Sequence, residues 1–117
     1  MRVYNCDTIM MYHIIVYCPV DQADAVRAAA AGAGAGRIGL YDSCSFSSRG
    51  TGRFRPLKGA KPAVGTVGTT EEVEEERIEC VAPEEDIGKI VRAIVEAHPY
   101  EEPAMHVLKM ENYKKFL

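Results

Sequence analysis

The stretch Tyr12-His-Ile-Ile-Val-Tyr-Cys18 constrains this chain more than any other. Its residues are mostly β-branched or aromatic, and they are apolar on both alternating faces. A strand built from them cannot leave either face in water. It must lie inside a sheet, with cover on both sides, and Pro19 ends it.

The elements that follow supply cover for one side. Asp21 is placed to cap a helix running to about Ala31, with Ala23, Val26, Ala29 and Ala30 at helical spacing. The alternating Ala/Gly run 31–36 then reads as a close-packed helix end passing into a glycine turn. Residues 39–48 alternate as a strand, with Leu40, Cys44 and Phe46 on one face and Tyr41, Ser43, Ser45 and Ser47 on the other. Gly50 and Gly52 predict a turn, and residues 53–57 a short edge strand stopped by Pro56. Residues 58–70 are a loop. A strand is expected over about 74–82, its glutamates facing water or the basic stretch of another strand. Pro83 and the acids 84–86 are expected to open a helix. Ile87, Ile90, Val91, Ile94 and Val95 then form one buried stripe. Pro99 stops this helix, and residues 104–110 make the last strand. Residues 1–10 are set apart as a leader, poorly ordered or an added strand. The domain spans 11–110, and 111–117 is a polar tail.

The order is β-α-β-(β)-β-α-β. This is an α+β, ferredoxin-like sandwich, βαββαβ with an extra short hairpin strand: two helices on one face of a mainly antiparallel sheet. The other sheet face has no helix to cover it, although the first strand demands cover there. Self-association through that face resolves the conflict, so a homo-oligomer is expected.

At 117 residues the chain is one domain, too small for a deep closed pocket, which directs attention to sites at subunit seams. The net charge of −3 gives no reason to expect nucleic acid, and no apolar run is long enough for a membrane span. Charge is uneven. Residues 1–62 carry 8 Lys/Arg and 4 Asp/Glu, whereas residues 63–117 carry 6 and 13. Such asymmetry can complement itself between subunits. Cys6, Cys18, Cys44 and Cys80 form no C-x-x-C pair, and no secretory signal is evident. Reduced thiols in a cytoplasm, mostly packed as small hydrophobes, are expected.

The densest chemistry lies in His98-Pro-Tyr-Glu-Glu-Pro103. His98, Glu101 and Glu102 are of the types that hold a divalent metal such as zinc, manganese or iron, on a loop stiffened by two prolines. Against this, a histidine at a helix C-terminus is favoured by the dipole, and adjacent glutamates on an extended backbone point apart. Arg49, Arg53 and Arg55 surround Gly50-Thr51-Gly52, whose amides can cradle an anion, although the spacing is not that of a phosphate-binding loop and a plain hairpin is the simpler reading. Tyr41, Ser43 and Cys44 complete the ligand-facing candidates. Cys44 has no neighbouring histidine or oxyanion site in the sequence, and a buried thiol is the simpler reading. No catalytic residue is assigned.

Several separated motifs carry a resemblance. The run 33–46, then Gly50-Thr-Gly-Arg-Phe-Arg-Pro56, Val64-Gly-Thr-Val-Gly68 and Ala97-His-Pro-Tyr-Glu-Glu-Pro-Ala104 together resemble the YqfO family. The likeness is to the PII/CutA-like domain inserted in the larger dinuclear-metal proteins, or to its free-standing relatives. It implies a PII/CutA-like fold and a trimer, and it implies that the metal centre of the larger proteins draws its ligands from flanking domains absent here. The function it points to is a non-catalytic oligomeric module binding a small ligand or metal at subunit seams. The alternatives are a metal-assisted hydrolase using His98 with Glu101 or Glu102, and a structural or partner-binding protein.

Overall fold

The computed structural model describes residues 10–117. The leader expected at 1–10 falls, but for Met10, outside them. The elements run β1 (Met11–Pro19), α1 (Ala23–Gly32), β2 (Phe46–Phe54), β3 (Glu71–Pro83), α2 (Ile87–Ala97) and β4 (Met105–Met110). Short 3-10 turns occupy Val20–Gln22 and Tyr113–Phe116. The sheet is antiparallel throughout, in the order β2-β3-β1-β4. This is the ferredoxin-like arrangement expected, with β1 interior as its composition demands.

One sheet face packs on both helices. Ile14, Val16 and Cys18 of β1 and Ile78, Cys80 and Ala82 of β3 meet Val26 and Ala30 of α1 and Ile90 and Ile94 of α2. Burying each isoleucine is worth about 2 kcal/mol. The residue before a proline is biased to extended backbone, and His98 ends α2 in that conformation, with ψ 135.

Among the described residues no helix covers the opposite face. Met11 and Ile15 are buried there nonetheless, whereas Phe46 and Leu108 are exposed. Its centre is polar and aromatic. His13 Nε2 lies 3.0 Å from Glu79, Arg77 stands over the Tyr17 ring, and Tyr17 meets His106 edge to face.

Three local expectations are corrected. The strand expected at 39–48 begins at Phe46, and Gly50 and Gly52 lie inside it instead of in a turn. No separate hairpin strand exists at 53–57, because residues 53 and 54 finish β2. The partner explains both shifts: β2 pairs with the acidic part of β3, Arg49 opposite Glu76 and Arg53 opposite Glu72. Finally, Pro83 closes β3 instead of opening α2. A turn from Pro83 to Asp86 (N–H to carbonyl, 3.0 Å) intervenes, and the helix begins at Ile87.

Burial pushes the thiols of Cys18 and Cys80 up to about 11, with the Glu76 charge adding to the effect at Cys18. The unfolded chain gives up these protons near pH 9, so between about pH 9 and pH 11 the folded state binds more protons. Stability should therefore fall as pH rises through that window, by at most about 3 kcal/mol per thiol. Urea midpoints at about pH 8 and about pH 10.5 test this. Cys80→Ala should flatten the decline, and an unchanged slope would refute the assignment.

Candidate functional site

Beyond the end of β1, the loop 98–104 and the loop following β2 close on one another. Tyr17 N–H donates to the Ala104 carbonyl (3.1 Å), and Lys61 N–H donates to a Glu101 carboxylate oxygen (3.2 Å). Between them lies a pocket of about 320 Å³. Arg53, Arg55, Glu101 and Glu102 line it, so two of the three candidate arginines and both candidate glutamates share one cavity. Tyr17, Phe54, Tyr100 and Glu75 line it as well.

His98 does not line the pocket. It is buried, and both ring nitrogens are committed to backbone. Tyr100 N–H donates to Nδ1 at 3.1 Å, so Nε2 carries the hydrogen and donates to the Tyr17 carbonyl at 2.6 Å. The ring pins the end of α2 to the end of β1. Metal ligation by His98 would break one of these bonds. Among the described residues no group of three or more His, Cys, Asp or Glu side chains is placed to hold a metal. His98→Ala leaves a buried N–H and a carbonyl without partners and should cost about 2 kcal/mol. The Tyr100 amide should then exchange with deuterium much faster. Retained protection would show that the ring is not the pin.

Glu75 was not singled out by the sequence. Its register places it on the open face across from Gly50, and it is only 9% exposed. A Cβ added at Gly52 would meet Glu75 Oε1 at 1.8 Å, so the glycine's bare backbone makes room for the carboxylate. Among the described residues no Lys or Arg pairs with it. The Tyr100 hydroxyl beside it is buried, and among the described residues it meets no partner in strict hydrogen-bond geometry, the Glu75 carboxylate being its polar neighbour. Burial, then the Glu75 charge, push this phenol above its ordinary range. The signal available in the sequence was the pairing of a Gly-x-Gly strand with a glutamate run. Two glycines one residue apart favour a turn locally, and a turn there conceals the site.

The remaining candidates are dispersed. Arg49 and Thr51 line an adjoining depression that shares Glu75 and Tyr17 with the pocket. Thr51 donates to Glu74, and the Gly-Thr-Gly amides belong to a strand, not to an anion-cradling turn. Tyr41, Ser43 and Cys44 lie in the segment before β2. Tyr41 is 76% exposed, Ser43 adopts φ 58, and Ser43 and Cys44 line a separate cavity beside α1 together with Cys80.

No protein-family model matches the chain. A protein of Mycobacterium bovis named GTP cyclohydrolase 1 type 2 homolog is 48% identical over 96 residues, which is 82% of this chain and 25% of that protein. A solved Bacillus cereus protein related to NIF3 superposes with a TM-score of 0.78 at 44% identity, over 89% of this chain and 26% of the other. The chain resembles one domain of the YqfO-type, NIF3-related proteins. It spans about a quarter of the length of the curated relatives it matches. CutA from Archaeoglobus fulgidus shares the fold, with a TM-score of 0.65 over 92% of both chains and 15% identity. Several motif residues of this YqfO-type domain now have physical roles: His98 as the pin, Gly52 as space for Glu75, Tyr100 as the pocket wall. No helix among the described residues is long and apolar enough to cross a membrane.

Proposed function

We propose that this chain is a non-catalytic, homo-oligomeric binding module that holds a small ligand in the pocket between the post-β2 loop and the 98–104 loop. One observation carries the reading. The 320 Å³ cavity is walled by three aromatic rings and floored by a buried carboxylate that has no cationic partner among the described residues. Concave, largely apolar sites with a few convergent polar groups are the usual form of small-molecule sites. A buried charge left without a partner is costly unless a ligand completes it.

Oligomerisation, which we take to be trimeric, would cover Phe46, Leu108 and the rest of the open sheet face. The pocket lies at the margin of that face, which suits a seam between subunits. Cys18, Cys44 and Cys80 are free, in keeping with a reducing cytoplasm. A divalent metal at Glu101 and Glu102 would need donors from a second subunit, because His98 is committed elsewhere.

Thermal unfolding with zinc, copper, manganese, nucleotides, small carboxylates and small amines tests the reading. At least one should raise the midpoint by several °C, and Tyr100→Ala should abolish that shift. Silence across all classes would sink the binding module, and a monomer in light scattering would sink its oligomeric part. Metal in tag-free purified protein near one equivalent per subunit would favour the metal reading instead.

A further inference from the structure

We infer that the ligand of this pocket is an organic cation, of the substituted-ammonium class, held by the Glu75 carboxylate inside a cage of Tyr17, Phe54 and Tyr100. The inference rests on the preceding reading that the pocket is a binding site, and it names the chemistry.

Three observations support it independently. First, Glu75 is nine-tenths buried and lines the pocket, and the other described ion pairs bypass it: Arg77 is bound to Glu79 and Arg53 to Glu72. Second, the walls are aromatic. Phe54 and Tyr100 stand 5.6 Å apart at 58°, and Tyr17, whose ring already has Arg77 over one face, lines the same space. Ring faces attract cations, most strongly where water is excluded. The Tyr100 hydroxyl, buried beside the Glu75 carboxylate, can donate to that carboxylate and still accept a hydrogen bond from an ammonium N–H. Third, the charge lining the pocket is negative. With Arg53 neutralised by Glu72, Glu75, Glu101 and Glu102 face Arg55 alone. An anionic ligand would meet three carboxylates for one free guanidinium.

The test compares three probes of one shape and three charges: benzylammonium, benzyl alcohol and benzoate. Each is titrated into the full chain and followed by backbone amide shifts. Benzylammonium should bind at least tenfold more tightly than either of the others, and its affinity should fall as salt rises. Glu75→Gln should weaken it at least tenfold, whereas Glu111→Gln in the tail should not. Gly52→Ala, whose added Cβ displaces the Glu75 carboxylate, should also weaken it. If Glu75→Gln fails to fold, the selectivity of the wild-type chain among the three probes decides alone. Benzoate binding most tightly would overturn the cation while leaving a small-ligand site in place. Equal affinity for the charged and neutral probes would overturn it too, as would no binding by any of the three. The wider ligand screen judges the site separately.

Discussion

Arg27→Ala is expected to destabilise the protein by about 3 kcal/mol, because it strands a buried carboxylate. Arg27 projects from α1 onto the helix-covered face of the sheet. One guanidinium nitrogen donates to Glu76 at 2.6 Å and to the Ser47 hydroxyl at 3.0 Å, and the other donates to Asp24 at 2.6 Å. Hydrogen bonds to Asp24, then Glu76, hold the guanidinium above its ordinary value. The two acids differ in what they stand to lose. The Asp24 side chain is 99% exposed, and water replaces its partner at little cost. The Glu76 side chain is 10% exposed and faces Cys18 across the sheet. Without Arg27 it keeps its desolvation penalty and loses its counter-charge. Asp24→Ala should therefore cost under about 0.5 kcal/mol. The double variant Arg27→Met with Glu76→Leu should recover most of the stability that Arg27→Ala loses, since apolar replacements of a buried pair are often neutral or better. Urea midpoints of the variants decide it. Equal costs for Arg27→Ala and Asp24→Ala would show that Glu76 is solvated and the argument is wrong.

The pair also shows what the sequence could reveal. The periodic stripe of α2 and the two-faced apolar strand β1 state their positions directly, because burial of one helix stripe or of two strand faces leaves few architectures. The basic and acidic stretches were legible as partners, and Arg53 does meet Glu72 across β2 and β3. Their register was not legible. Gly50 and Gly52 carry a local preference for turns, and pairing with nine residues of β3 overrides it. The candidate site depends on that register. A turn at 50–52 leaves Glu75 as one surface glutamate among six, whereas a strand there sets a glycine gap beside it. His98 misled in the opposite way. Its residue type and rigid loop suggest a ligand, but Nδ1 is taken by the Tyr100 amide of its own loop and Nε2 by the Tyr17 carbonyl, 81 residues away in sequence.

Gly36→Ala should cost about 3 kcal/mol, for two separable reasons. The residue sits at φ +80, where a Cβ is strained by roughly 1 kcal/mol. The added Cβ would also fall 2.4 Å from the Cys44 carbonyl oxygen and 2.6 Å from its nitrogen. Those atoms are backbone and cannot swing aside. Gly36 is itself a link between two segments: its N–H donates to the Val81 carbonyl at 2.8 Å, and its own carbonyl accepts from Cys44 N–H at 2.9 Å. It thus carries the approach to β2 alongside the last part of β3. Relief of the clash must break one of these bonds, which adds overpacking strain to the loss of a partner. Gly39→Ala is the internal control. It has φ +57 but nothing within 4 Å of the added Cβ, so it should lose only about 1 kcal/mol. The difference between the two urea midpoints measures the clash without the dihedral strain. If the segment detaches in Gly36→Ala, the half-buried Cys44 thiol should alkylate several-fold faster than in Gly39→Ala, while Cys18 and Cys80 stay protected in the core. Equal midpoints and equal alkylation would mean that residues 36–44 can relax away from β3 at no cost, and that the start of β2, with the pocket at its far end, is not anchored through Gly36.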